Sequence, residues 1–340
     1  MKTRSMLLRS MPLLLALSAY DCIDALAGPR AGTATMKGGA RSRRGGAKRG
    51  CAAGFGAAEK PPVAPSRTAA LDEDGARFLA DAGGALDQAQ SRMLESKLAQ
   101  LRSTDPNLVK EMSESVMSQR AREKLVELTW DVVATFMPPG EEPPPPLAAR
   151  LRRIACAARP ESGSMLLDIG CGNGVLLPAL LDAGCLPADY CGCDLSGRMI
   201  AAAEAAHGAS GATFVRSGFF EDDVDRLAPP GRCRAVVFSG SLQFFDDVEA
   251  TLRRAAALLA PGGRIVVAHV NGAAFVADER RGNPATVRSL MPSLPELEAL
   301  ATRVGAGPGG TRLRVLPPAE LGSTRALDAF YLVALESVID

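Results

Sequence analysis

The sequence predicts an α/β protein: a doubly wound, mostly parallel sheet of seven strands, preceded by a helical extension. Two observations carry the sheet. From Leu147 onward, short apolar runs alternate with helical stretches, the order that builds a parallel sheet with helices on both faces. The first of these runs, Met165-Leu166-Leu167, leads into a loop with Gly170, Gly172 and Gly174 and then a helix from about Val175. A third observation sets the extension apart. Helical periodicity runs from Leu86 to Met137, and a proline-rich stretch from Pro138 to Pro146 closes it.

Taken in order, strands are expected near 164–169, 189–194, 212–216, 233–239, 263–270, 311–316 and 328–337. Helices are expected over 147–158, 174–184, 197–207, 246–259 and 294–305. The domain is placed at 147–340. In the extension, 86–137, Leu94, Leu98 and Leu101 recur at helical spacing, as do Leu125, Leu128, Val132 and Phe136. One break is expected, with Asp105 capping a helix that starts on Pro106. Residues 138–146 read as an extended spacer, because consecutive prolines stop a helix and stiffen the chain.

Charge is divided along the chain. Residues 1–70 hold 12 Lys/Arg against 3 Asp/Glu, a balance of +9, and residues 71–340 hold 27 against 35, a balance of −8. The acidic body gives no electrostatic reason for a nucleic-acid partner. Residues 1–27 combine Lys2, Arg4 and Arg9, an apolar run from Pro12 to Tyr20, and Ala25-Leu26-Ala27. This is a signal-peptide pattern, too short for the ~20 residues of a membrane span. Residues 28–60 are basic and, as far as Ala58, free of acids, like a transit peptide. Together they resemble the bipartite leader of complex plastids, with mitochondrion or secretion as the alternatives. A Pro-, Ala- and Gly-rich linker, 61–85, follows. No membrane span is expected in the mature protein, and the oligomeric state is left open.

Eight cysteines show no C-x-x-C spacing, and only His207 and His269 could join them. The usual metal-ligand spacings are missing, so no metal is expected and the cysteines read as small buried residues. Cys191 and Cys193 should share one face of a strand.

Chemistry concentrates at strand ends. The loop Asp168-Ile169-Gly170-Cys171-Gly172-Asn173-Gly174 lies between an apolar strand and a helix. Its glycines allow a ligand to approach the backbone, and the helix start adds unpaired N–H groups. A dinucleotide fingerprint would need glycine at position 175, which is Val175. An acid two residues ahead of the glycines suits a cationic ligand better than a pyrophosphate. Asp194 ends the next strand, about 20 residues on, where a carboxylate can accept two ribose hydroxyls. Asp194 also reads as a helix cap, a role for which Ser196 competes.

The series Leu167 to Gly174, Tyr190 to Ser196, Val236 to Ser239 with Phe245-Asp246-Asp247, and Leu258 to Gly263 resembles the motifs of class I, Rossmann-like methyltransferases, over about 190 residues. The resemblance implies S-adenosyl-L-methionine as cofactor. It also implies contacts to it from Asp168, Gly170, Cys171, Gly172, Asn173, Gly174, Asp194, Leu195, Gly218, Phe219 and Ser239. Pro261-Gly262-Gly263 would be a tight turn away from the ligand. The acid that many relatives hold against adenine falls on Gly218, so Phe219 either packs on the base or belongs to the core.

On the other side of the transferred methyl, Ser239-Gly240-Ser241-Leu242 lacks the Asn/Asp-Pro-Pro-aromatic motif of amino-group methylases that act on nucleobases or glutamine. Gln243 is expected near the methyl. His269 is the one histidine near the cleft, and it either takes a proton, titrating near pH 6.5, or is structural. The stretch from Ala273 to Met291 is long for a connection and reads as a lid, with Phe275 and Val276 in a short helical turn facing an apolar molecule. The expected activity is methyl transfer to a small molecule, with catalysis, if any, by His269 and Gln243. Two other readings stand: a cofactor-binding protein without turnover, and a methyltransferase acting on protein or RNA.

Overall fold

The computed structural model describes residues 88–112, 117–135, 137, 140, 142–282, 284–306 and 310–338. The leader segments, the 61–85 linker and Phe136 lie outside the described residues.

The extension forms α1 (Gln88–Thr104), α2 (Pro106–Met112) and α3 (Gln119–Val133). Asp105 Oδ1 accepts the Leu108 N–H at 3.0 Å, which caps α2 at the expected break. A second break, unforeseen, precedes α3, where Ser118 caps by accepting the Ala121 N–H. Leu101, Leu108, Met112, Leu125 and Leu128 pack into a small core among these helices.

The α4 helix (Pro145–Ala158) begins inside the run of consecutive prolines that ends at Pro146. Proline is tolerated there because the first-turn N–H groups have no helical partner to lose. The α/β order follows: β1 (Met165–Ile169), α5 (Leu177–Asp182), β2 (Tyr190–Asp194), α6 (Gly197–His207), β3 (Thr213–Arg216), α7 (Asp222–Leu227), β4 (Cys233–Ser239), α8 (Val248–Leu258) and β5 (Leu259–His269). Then come α9 (Gly272–Gly282), α10 (Leu294–Gly305), β6 (Leu313–Leu316) and β7 (Tyr331–Ser337). The short α7 was not anticipated. The expected short helical turn that contains Phe275 is part of a full helix, α9.

The sheet order is β3-β2-β1-β4-β5-β7-β6. Strands β1 to β5 run parallel, and β7 is antiparallel to both β5 and β6. Alternate side chains serve opposite faces. Leu167, Val236, Phe238, Val267 and Val333 pack with Leu252 and Leu297 on one face. Leu166, Val237, Val266 and Leu332 pack with Ile154, Leu180 and Ile200 on the other. Cys191 and Cys193 share the first of these cores, and all described cysteines are free. Pro261-Gly262-Gly263 lies inside β5 as a bulge, not ahead of the strand. The pairing with β4 jumps from Leu259 to Arg264 while β4 advances from Cys233 to Ala235.

Strand β1 pairs with β2 on one side and β4 on the other. The chain therefore winds away in both directions from that point, and a crevice opens at the carboxyl ends of the central strands.

Candidate functional site

A cavity of about 620 Å³ fills that crevice. It is lined by Gly170 to Asn173, Asp194, Leu195, Gly218, Phe219, Ser239, Gln243 and His269. Eleven of the thirteen residues singled out in the sequence thus meet in one place. Asp168 and Gly174 do not join its wall.

The glycine loop is shaped by three positive φ angles, 70° at Gly170, 56° at Gly172 and 77° at Gly174. At Gly170 a Cβ would lie 2.6 Å from Ser241 Cβ, so the loop can rest on the β4 edge only without a side chain. Ser241 Oγ in turn donates to the Ile169 carbonyl. A Cβ on Gly172 would meet nothing, and this is where the loop opens to a ligand. Gly174 serves packing instead. A Cβ there would meet His207 and Phe214, so its absence lets the loop lie against α6 and β3.

Asp194 holds the far side of the loop. Its carboxylate accepts the Gly172 N–H at 3.0 Å and the Ser196 N–H at 2.8 Å. Ser196, not Asp194, caps α6, with its Oγ accepting the Met199 N–H. Each Asp194 oxygen keeps acceptor capacity for a ligand hydroxyl. Burial pushes the Asp194 pKa up to about 6, against the pull of those two N–H donors. Asp168 is buried beneath the loop, accepts from Tyr190 Oη at 3.0 Å and is pushed up to about 7 by burial. Its Oδ1 has no hydrogen-bond partner among the described residues.

Phe219 belongs to the core and also borders the cavity. It is 4% exposed, stands edge-on to Phe238 and Phe245, and still lines the cavity. Arg254 lies over its ring at 5.2 Å and donates to its carbonyl at 2.6 Å.

At the β4 and β5 end, Gln243 is 2% exposed. Its amide nitrogen donates to the Gly240 carbonyl at 2.9 Å, and its Oε1 has no partner among the described residues. Of the two readings of His269, its surroundings favour the structural one. Burial pulls its pKa down to about 4. Its Nδ1 accepts the Asn271 N–H at 3.3 Å, which leaves the proton of the neutral ring on Nε2. Phe275 stacks on His269 at 5.4 Å and lines the cavity, while Val276 is fully buried in the core.

One wall has no counterpart in the sequence expectations. Arg122, Val126 and Trp130 of α3 line the cavity, with Trp130 edge-on to Phe244 at 5.8 Å. Helix α3 is tied down at both ends of the crevice. Arg122 pairs with Asp246, which also binds Arg288 at 2.6 Å. Glu127 pairs with Arg216 at 3.0 Å, and Asp131 reaches the start of α6.

The donor set discriminates between ligands. Glu123, Asp194, Asp246, Asp247 and Glu279 line the cavity. Against them, Arg122 is the one Lys or Arg in the lining among the described residues, and it is ion-paired. A pyrophosphate would meet carboxylates without a cation to offset its charge. A ligand with a ribose diol and a positive charge, such as S-adenosylmethionine, finds acceptors and a favourable potential.

A family model described as a methyltransferase domain matches residues 143–305. Nocamycin O-methyltransferase of Saccharothrix syringae is 39% identical over 117 residues, 34% of this chain and 40% of that protein. Ubiquinone biosynthesis O-methyltransferase of Bordetella avium is 30% identical over 197 residues, 54% of this chain and 77% of that protein. The chain thus spans 40% of the nocamycin enzyme's length but 77% of the Bordetella one. A similar solved structure is that of an O-methyltransferase family protein from Burkholderia thailandensis. It is 14% identical, with a TM-score of 0.44, over 71% of this chain and 70% of that one.

Proposed function

Because this chain belongs to the class I, S-adenosylmethionine-dependent methyltransferase family, we propose that it methylates an oxygen of a small, largely apolar molecule. One observation carries this reading: a single cavity joins the glycine loop and Asp194 to an apolar end formed by Val126, Trp130, Leu147, Leu151, Phe244 and Phe275. The curated relatives named above are O-methyltransferases, which supports oxygen as the methylated atom.

When bound, S-adenosylmethionine supplies a methyl group on a sulfonium, activated for in-line displacement. The chain's own residues hold and orient. Asp194 and the Gly170 to Asn173 loop fix the nucleoside end. Gln243 and Phe275 place the other substrate, and α3 with α9 excludes water from between them. Holding two reactants in line supplies much of the acceleration in such a transfer. Methylating a hydroxyl releases a proton. His269, neutral above about pH 4 and with Nδ1 already engaged, is not set to take it. Of the carboxylates that line the cavity, Glu279, buried on the same helix as Phe275, takes that role in this reading.

The test is to incubate the purified protein with methyl-labelled cofactor and a panel of hydroxylated aromatic and aliphatic compounds, following S-adenosylhomocysteine. Turnover of a hydroxylated compound supports the reading. Tight cofactor binding with no turnover across hydroxyl, amine and thiol panels would favour a cofactor-binding protein without catalysis.

A further inference from the structure

Asp131 is a buried carboxylate, 3% exposed, on a helix that the sequence places outside the catalytic domain. An acid so placed is costly unless its oxygens are satisfied. Here they are satisfied from two modules. Lys97 of α1 pairs with Oδ2. Oδ1 accepts from Ser196 Oγ at 2.6 Å and from the Arg198 N–H at 3.3 Å. These two donors sit at the first turn of α6, where the backbone N–H groups lack helical partners. The same Ser196 donates its own N–H to Asp194 Oδ1 at 2.8 Å. Asp194 then holds the Gly172 N–H with its other oxygen. A continuous chain of contacts thus runs from Lys97 through Asp131, Ser196 and Asp194 to the glycine loop.

We propose that Asp131 is a positioning residue for the cofactor: it fixes the Ser196 turn, and through it the carboxylate that receives the ribose. This rests on the methyltransferase reading of the site. The helical extension is then part of the cofactor site and not an appendage. Asp131 touches no ligand, since it does not line the cavity. Its effect passes through Ser196. The neighbouring Lys97 matters because it offsets part of the Asp131 charge, which helps to raise the Asp194 pKa.

The decisive comparison uses two double variants of the full chain. Lys97→Met/Asp131→Asn removes the ion pair but keeps an oxygen facing Ser196 Oγ and the Arg198 N–H. Lys97→Met/Asp131→Ala removes that oxygen as well. Both lack the ion pair, so general loosening of α1 and α3 is common to them. S-adenosylhomocysteine binding is measured by calorimetry, with a thermal melt on each protein. The Asn variant should bind within about two-fold of the unsubstituted protein, and the Ala variant about ten-fold more weakly, the scale of one hydrogen bond within a charged network. In turnover, the Ala variant should show a raised KM for the cofactor and nearly unchanged kcat at saturation. Equal affinities in the two variants, whether both native-like or both reduced, would overturn the proposal. So would an Ala variant that loses affinity only in proportion to a lower melting temperature. If the unsubstituted protein binds no S-adenosylhomocysteine, the family-based reading of the site fails first, which is a separate result.

Discussion

The cofactor's affinity should depend on pH through Asp194. Burial raises its pKa to about 6, and the Ser196 and Gly172 N–H donors only partly oppose this. Ribose hydroxyls donate, so they favour the ionised carboxylate. Affinity is therefore present above about pH 6 and is lost as the pH falls through that value. One unit below the pKa only about a tenth of the sites carry the carboxylate, so the Kd for S-adenosylhomocysteine should be roughly ten-fold weaker at pH 5 than at pH 8. Stability of the ligand-free protein should move the other way. A carboxyl whose folded pKa is raised favours folding in its protonated form, and that contribution is lost as the pH rises from about 4 through 6. Calorimetry over pH 5 to 8 reads the first trend. The second is read over pH 4 to 8 as the difference in melting temperature between the unsubstituted protein and Asp194→Asn, because Asp168 adds to it and His269, with its lowered pKa, opposes it. Asp168, pushed up to about 7, titrates in the same window but lies beneath the loop. Asp168→Asn should leave the step near 6 in place, and Asp194→Asn should flatten it. A Kd independent of pH from 5 to 8, or an Asp194→Asn protein that keeps the slope, would refute the reasoning.

Four further outcomes are expected. Gln243→Leu should raise the KM for the methyl acceptor by about 5- to 30-fold, the loss of roughly 1–2 kcal/mol, with cofactor affinity unchanged by calorimetry. His269→Gln should keep kcat within about five-fold and leave the pH–rate profile unaltered between pH 5 and 8, because this ring is neutral throughout the range. Glu279→Gln should lower kcat by about 10²-fold or more, the scale of a lost general base, and rates equal to those of the unsubstituted protein would remove Glu279 from the mechanism. Phe275→Ala should raise the same KM while the cofactor Kd holds. A lower melting temperature with unchanged kinetic constants would make Phe275 structural.

Most of the sheet was legible because β1, β2, β4 and β5 are buried on both faces over most of their length and read as short, mostly apolar runs, whereas β3, at the sheet edge, buries only Phe214. Where expectation and structure part, local chemistry had two solutions. Pro261-Gly262-Gly263 looks like a turn, yet the same residues allow a bulge, and only the pairing of Leu259 with Cys233 decides for it. The prolines before Leu147 look like a helix stop. They also suit a helix start, and α4 begins on Pro145. The expected turn at Phe275 becomes the eleven-residue α9, anchored where Gly272 packs against the Asp328 carbonyl, a contact between segments far apart in sequence.

The glycine-loop end of the cavity was legible for a related reason: Gly170, Gly172 and Asp194 belong to one β–α–β unit, whose adjacent parallel strands β1 and β2 bring the loop and the acid together. The environments of His269 and Gln243 were not. A pKa near 4 and an orphan amide oxygen come from burial under neighbours, which spacing does not encode. The wall supplied by α3 was hidden for a third reason. Leu125, Leu128 and Val132 announce an apolar stripe but not what it packs on. One signal was present all the same. Asp131 lies three residues after Leu128 and next to Val132, on the buried side of the helix. A carboxylate on an apolar face needs strong donors, and α3 has none to spare for it. The start of another helix, with its unpaired N–H groups and capping serine, is where such donors are found. Ser196 caps α6 two residues after Asp194, and it is there that Asp131 docks.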